Sequence, residues 1–524
     1  MLLRLIRELL SRQSAESWHA APAAADAHRH YVLARSHEGK GDLGAAEGEY
    51  QAAIALDPES GILHYNLALL QFQVGDLSSA EAGFRRALEI NPDDQMAYAS
   101  LLCICDFSMA LTRDEILERH VNWAARFADP LGKVPATYAT HRAPHRRLRV
   151  GYVSADFRRH AVGRFIEPVL RLHDASQFDV HCYSNATDED DMTRHLRTLV
   201  PAWKDIHGVG DLAAAAMIRQ DSIDILVDLS GHSAGNRLLV FAHKPAPIQM
   251  TWLGYLNTTG MRAMDYRITD EVADPVGNDG WYRERLLRLS RPQWCYVPDA
   301  GHITAPVGPI RRRPEGARLT MACMTRFMKI SDAALGLWVR ILRAAPAACL
   351  RIIDVPTHAR GEAMMRFFRG SGVGDQVEVF PTLQGERYWS MFSEIDVALD
   401  PFPYTGATTT FDCLWMGVPV VTLAGECGAA RSASSILSAL GLDEFIAASG
   451  DEYVAIAGAI STDAPRLAKL RADLRQKMQS SVLCDGAGLV GELEAGFRQA
   501  WMAWCNGQHA DSLSKPHRAL PHHE

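Results

Sequence analysis

The chain has 524 residues, of which 48% are hydrophobic and 22% charged, with a formal net charge of −8. That length exceeds one ordinary domain and predicts about three. The mild acidic balance offers no basic field for nucleic acid, and no run approaches the ~20 apolar residues that span a bilayer.

The ten cysteines are scattered, and the close pair Cys103 and Cys105 has no partner pair for a zinc site. That usage fits a reducing compartment. Residues 1–26 read as a helical extension. Their first ten residues mix charges into an amphipathic pattern, unlike a secretory leader, so a cytoplasmic protein is expected.

An internal repeat follows over residues 27–128. Gly41-Asp42-Leu43 recurs as Gly75-Asp76-Leu77, Ala46 as Ala80, Tyr50 as Phe84, Ala53 as Ala87 and Pro58 as Pro92, all at an offset of 34. This period, with small residues where helices cross and Pro closing the unit, is the tetratricopeptide signature. A third unit begins near Gln95, and a helix over 113–127 caps the stack. So short a solenoid needs neighbours to cover its ends. Residues 129–147 read as a linker.

The pattern then changes to alternating strands and helices. Strands are predicted over 148–154, 178–184 and 223–229, with a helix over 212–219 among the intervening segments. A Pro-, Gly- and Arg-rich linker spans 305–317. The alternation restarts with strands over 319–324, 350–353, 377–380, 395–399 and 418–423. The expectation is α/β: two Rossmann-like lobes, 148–304 and 318–505, behind an all-α repeat domain. The tail, 506–524, is polar and reads as disordered; metal binding by its His517, His522 and His523 is the alternative. The basic runs Arg146-Arg147 and Arg311-Arg313 fall in linkers and read as solvated.

Three further features bear on chemistry. Gly231-His-Ser-Ala-Gly235 matches the G-x-S-x-G elbow of α/β-hydrolases, with Ser233 as nucleophile. No oxyanion segment precedes it, and no acid–His pair follows in a strand-end context. Asp188-Glu-Asp190 matches a metal-holding D-x-D pattern but lies in a polar stretch that reads as a solvated loop. The window 403–419 places a Gly turn, three threonines and a short helix between two strands. Free N–H groups at a helix N-terminus, its dipole and Thr hydroxyls suit a phosphate. Asp412, one turn into that helix, can meet sugar hydroxyls; an N-capped structural helix is the other reading. Lys329 follows the first strand of the second lobe, where ligands bind in such sheets and where a cation offsets a leaving diphosphate. His160 follows the first strand of the first lobe and suits a base or a donor-binding group.

In order along the chain, Leu148-Arg-Val-Gly-Tyr-Val-Ser-Ala-Asp-Phe157 with His160, Leu229 to Arg237, Lys244 to Gln249, Trp252 to Tyr255, Thr258 to Gly260, Met264 to Tyr266, Lys329-Ile330 and the threonine window resemble the protein O-GlcNAc transferases. The SPINDLY-type O-fucosyltransferases are related to the same family. The resemblance covers residues 27–504. It implies a GT-B fold and inverting transfer of N-acetylglucosamine from UDP-GlcNAc to Ser or Thr hydroxyls, with no metal or other cofactor. The repeats would guide a polypeptide acceptor. By matching positions, Lys329 would assist departure of UDP, Thr408 and Thr409 bind phosphates, Asp412 take the ribose hydroxyls, and Arg326 stand on the donor side. His160 would lie beside the donor sugar and the acceptor, as a candidate catalytic base; proton loss through water or the phosphate is the other route.

The chain departs from the family pattern at three places. Ala407 replaces a His beside the diphosphate in some members, and Tyr388 replaces a His near the uracil, where an aromatic can still stack. Leu256-Asn257 replaces a Pro-Gly expected near the sugar. The alternatives are transfer of fucose from GDP-fucose on the same fold, or a repeat scaffold with an inactive transferase module.

Overall fold

The computed structural model describes residues 22–132, 138, 140–298, 319–356 and 359–507. The second linker and the histidine-bearing end of the tail, expected from the sequence, lie outside these residues, as does most of the N-terminal extension.

The repeats form antiparallel helix pairs, Leu43–Leu56 with its predecessor Pro22–Lys40, and Gly61–Gln73 with Leu77–Ile90. The Gly-Asp-Leu signature explains itself locally. Gly41 and Gly75 turn the chain at φ +79° and +75°, a region that side chains disfavour. The next residue caps the new helix: Asp42 Oδ1 accepts from Ala45 N at 3.1 Å, and Asp76 Oδ1 from Ser79 N at 3.3 Å. Ala46, Ala53, Ala80 and Ala87 are fully buried at the crossings. The third unit contributes the helix Gln95–Cys105.

The predicted capping helix is α-helical over Arg113–Trp123 and ends in a π turn, Ala124–Ala128. It does more than close the stack. Trp123, Ala124 and Phe127 share a buried cluster with Leu238, Val240 and Phe241 of the first lobe, so repeat domain and lobe have a continuous core.

The first lobe is a seven-stranded, wholly parallel sheet of β1 (Leu148–Ser154), β2 (Phe178–Ser184), β3 (Ala202–Asp205), β4 (Ile225–Asp228), β5 (Ile248–Thr251), β6 (Tyr266–Asp270) and β7 (Arg285–Leu289), in the order 3-2-1-4-5-6-7. The second is a six-stranded sheet of β8 (Leu319–Cys323), β9 (Ala348–Ile352), β10 (Val377–Val379), β11 (Val397–Leu399), β12 (Val420–Leu423) and β13 (Ile446–Ala447), in the order 10-9-8-11-12-13. Both are doubly wound, with order reversing between β1 and β4 and between β8 and β11. Such reversals open a crevice at the carboxyl ends of the strands.

The C-terminal helix Gly486–Cys505, assigned from the sequence to the second lobe, packs on the first. It contacts the helix Ala161–Leu172 and strands β5 and β7. Trp501 Nε1 donates to Ala143 O at 3.1 Å, Arg498 Nη1 to Arg146 O at 2.8 Å, and Glu492 Oε1 accepts from Arg291 Nε at 2.8 Å. Its apolar face, with Leu493, Phe497 and Trp501 fully buried, finds its largest complement there. The residues 140–147, read as linker, are thereby held: Arg142 lies 4.4 Å from the Trp504 ring and Arg146 4.5 Å from that of Trp501.

Candidate active site

Each crevice collects the residues singled out from the sequence. In the second lobe, the segment after β8 carries Lys329 on a short 3-10 turn, Phe327–Lys329, and the segment after β11 leads into the helix Thr408–Trp415. Because β8 and β11 are neighbours, these two segments flank the reversal. Lys329 Nζ donates to Thr405 O at 2.9 Å and stands 4.0 Å from the centroid of the Tyr404 ring. Burial pushes its ammonium well below the usual lysine pKa, while Asp400 at the end of β11 pulls it back. Asp400 is pushed up by the same burial. Its carboxylate accepts from Gly406 N and from the Thr422 hydroxyl, each at 2.8 Å, and so fixes the loop that precedes the threonines.

The helix Thr408–Trp415 starts without a side-chain cap. Thr408 and Thr409 are half-buried at its first turn. Thr410 is buried, and its hydroxyl has no hydrogen-bond partner. The Lys329 ammonium, held at Thr405 O three residues before this helix, and the helix's first N–H groups flank the same strand reversal, a constellation suited to a diphosphate.

Asp412 is brought to the site with three of its roughly four acceptor positions in use. Its Oδ1 accepts from Tyr296 Oη at 2.8 Å and Arg164 Nη2 at 3.1 Å, and its Oδ2 from Tyr388 Oη at 3.1 Å. Arg164 belongs to the first lobe and stacks 4.6 Å from the Tyr296 ring. Burial raises the Asp412 carboxyl, and Arg164 is the main counterweight. Tyr388, expected against the base, thus has its hydroxyl anchored on the carboxylate expected to meet the ribose.

In the first lobe, β1 leads to His160 and β4 to the Gly231–Gly235 loop. His160 caps the helix Ala161–Leu172, its Nδ1 accepting from Val162 N at 3.3 Å, with Asp156 Oδ2 at 3.4 Å. An accepting Nδ1 leaves the proton of the neutral ring on Nε2. Burial lowers the imidazole pKa, Asp156 raises it, and Arg158 and Arg326 lower it further. A neutral ring protonated at Nε2 is a hydrogen-bond donor, so this geometry suits binding a donor group over taking a proton. Arg326 is largely exposed and lies 3.7 Å from Asp354.

The remaining sequence motifs are structural. Ser233 donates to Ser230 O at 2.6 Å. The adjacent His232 is buried, accepted by Thr259 O at 2.9 Å and held near pKa 4 by desolvation. That leaves no nucleophile–base pair for a hydrolase. Asp190 caps the helix Asp191–Thr198, taking Thr193 N at 2.9 Å and Arg159 N at 2.7 Å. Among the described residues, no group of three or more His, Cys, Asp or Glu is arranged to hold a metal, and no helix is long and apolar enough to cross a membrane.

Asn257, expected near the sugar from its Pro-Gly counterpart, is fully buried against the repeat domain. Its Nδ2 donates to Asp106 Oδ1 at 2.6 Å. The loop docks the repeats. Sequence reasoning also missed Arg164, Tyr296, Asp400 and Tyr404. Asp400 and Tyr404 were within reach, since a carboxylate at a strand end and an aromatic inside the phosphate loop are visible in the chain. Arg164 and Tyr296 depend on how the lobes face each other.

Two doubly wound lobes, with a half-buried cation and an uncapped helix N-terminus at the strand reversal, form the GT-B fold of glycosyltransferases. The chain belongs to glycosyl transferase family 41, whose model matches residues 99–303 and 312–492. A tetratricopeptide repeat model matches residues 31–95. A solved structure of a Thermobaculum terrenum O-GlcNAc transferase mutant superposes with a TM-score of 0.87 at 38% identity, covering 93% of this chain and 92% of that one.

Among curated relatives, the probable UDP-N-acetylglucosamine–peptide N-acetylglucosaminyltransferase SPINDLY of Solanum lycopersicum is 37% identical over 407 residues, 76% of this chain and 43% of the relative. The UDP-N-acetylglucosamine–peptide N-acetylglucosaminyltransferase of Caenorhabditis elegans is 25% identical over 502 residues, 73% of this chain and 43% of the relative. The chain therefore spans less than half the length of these curated relatives.

Proposed function

We propose that the protein transfers N-acetylglucosamine from UDP-GlcNAc to Ser or Thr hydroxyls of polypeptides, with inversion and without a metal. The observation that carries this reading is the pairing of Lys329 with the uncapped helix Thr408–Trp415 across one strand reversal. Cationic and dipolar stabilisation there replaces the charge that a metal supplies in other transferases. Names of the relatives support the sugar and the peptide acceptor.

The donor lies with its diphosphate between Lys329 and the first turn of that helix, its ribose toward Asp412 and its base toward Tyr388. An acceptor hydroxyl attacks the anomeric carbon from the first-lobe side as the bond to the diphosphate oxygen breaks. Charge grows on that oxygen, and the Lys329 ammonium offsets it. His160, as an Nε2–H donor, orients the sugar; the acceptor's proton leaves through solvent or a phosphate oxygen. The tetratricopeptide units deliver the polypeptide to the cleft, in a cytoplasmic setting.

A thermal-shift series with UDP, GDP, UDP-GlcNAc and GDP-fucose tests the donor. A ligand that binds only the folded state raises the melting temperature by mass action. Stabilisation by the uridine pair is expected. Stabilisation by the guanosine pair alone would move the assignment to fucose transfer, and no response to any would favour an inactive module.

A further inference from the structure

The repeat domain reaches the cation of the active site. Phe107, just beyond the third repeat helix, stacks on Tyr404 with ring centroids 4.8 Å apart and planes at 21°. The Tyr404 ring in turn lies 4.0 Å from Lys329 Nζ. Behind Phe107, Phe72 of the second repeat packs edge-on at 5.2 Å. These rings form a continuous column from the repeat core to the ammonium.

A second contact ties the Lys329 backbone to the repeats. Met328, its neighbour, packs into the same repeat cluster as Phe72, Phe84 and Phe107. The turn at Gly75 approaches so closely that a Cβ there would stand 3.5 Å from Met328 Cα. The backbone carrying Lys329 and the ring facing its charge therefore both rest on repeat residues. A cation held over an aromatic face is stabilised, more so as it is desolvated, and only where the ring is held in place.

We propose that Phe107 is a positioning residue of the transfer reaction: through Tyr404 it holds the Lys329 ammonium where the leaving diphosphate develops its charge. The repeat domain is thereby part of the catalytic centre as well as a path for the acceptor. This rests on the reading of Lys329 given above. A displaced ammonium loses more in the transition state than in the ground state, because charge grows as the bond breaks.

The test compares Phe107→Leu, Phe107→Tyr and Arg262→Ala in the full chain, with Lys329→Met beside them. Arg262 of the first lobe lies 3.3 Å from Asp129 at the end of the capping helix, a docking contact apart from the ring column and from the turn that supports Met328. Phe107→Leu should lower kcat about tenfold with the donor KM within about twofold, since an effect of ~1.4 kcal/mol falls on the transition state alone. Phe107→Tyr keeps the ring and should keep kcat, and Arg262→Ala should leave kcat unchanged. The proposal is overturned if Phe107→Leu turns over normally, if its loss lies in KM, if Phe107→Tyr is equally slow, or if Arg262→Ala matches it. Full activity in Lys329→Met would instead overturn the underlying reading of the site.

Discussion

Arg164 of the first lobe donates from Nη2 to Asp412 Oδ1 of the second at 3.1 Å, with the Tyr296 hydroxyl on the same oxygen at 2.8 Å. The bridge joins the lobes at the carboxylate proposed to meet the ribose. Asp412 also takes the Tyr388 hydroxyl at 3.1 Å. In the proposed placement a ribose would share this carboxylate with those groups, and donor binding would be linked to the contact between the lobes through one side chain.

Asp412→Asn should therefore weaken UDP binding by roughly tenfold, the scale of one charge-assisted hydrogen bond. It should also erase the preference for UDP over its 2′,3′-dideoxy analogue. Isothermal titration with both ligands measures this. Arg164→Ala leaves a buried carboxylate short of its cation and should cost roughly 3 kcal/mol in urea unfolding.

Asp106 predicts a pH dependence at the docking surface. Burial raises its folded pKa to about 6, against the help of Arg113 and Asn257. The sign follows from proton binding. Between about pH 4, where the unfolded carboxyl ionises, and pH 6, the native state holds a proton that the unfolded chain has lost. The contribution of this group therefore falls as pH rises through that window, by up to roughly 3 kcal/mol. Asp106→Asn removes the titration while keeping an acceptor for Asn257. Its stability relative to the parent should rise between pH 4 and pH 7, read by urea unfolding at both. A constant difference would show that the carboxyl titrates normally.

Gly260→Ala should undock the repeats. At Gly260 the backbone turns at φ +72°, and a Cβ would stand 2.3 Å from His120 O. No side-chain rotation relieves a contact with backbone. The cost should exceed about 3 kcal/mol, seen as a lower melting temperature and faster proteolysis of the loop 106–112.

Ser233→Ala should leave transfer within about twofold of the parent, as a change outside the reacting groups. The hydroxyl serves only the turn to Ser230 O. Collapse of activity with the fold intact would revive a nucleophilic role.

The sequence made local features legible. The repeat period exposed the helix crossings of the two matched units, because Ala46 and Ala80 must be small wherever the chain closes the same turn. Strand β8 and the threonine helix were readable because apolar runs and turn residues act over a few positions. Features set by long-range packing were not. The helix Gly486–Cys505 follows the second lobe in the chain, and nothing within it names Ala143 or Arg146 as partners. The partner of Asn257 was equally out of reach, because its amide answers Asp106 from another domain. Short strands such as β3 and β13 carry too few residues for a period, and sheet pairing alone creates them.

The most direct test of the central claim is transfer of labelled N-acetylglucosamine from UDP-GlcNAc to a Ser/Thr peptide, measured for the parent and for Lys329→Met. The account predicts transfer by the parent and a loss of at least about a hundredfold in the variant, with the melting temperature little changed. Turnover by Lys329→Met close to that of the parent would contradict it.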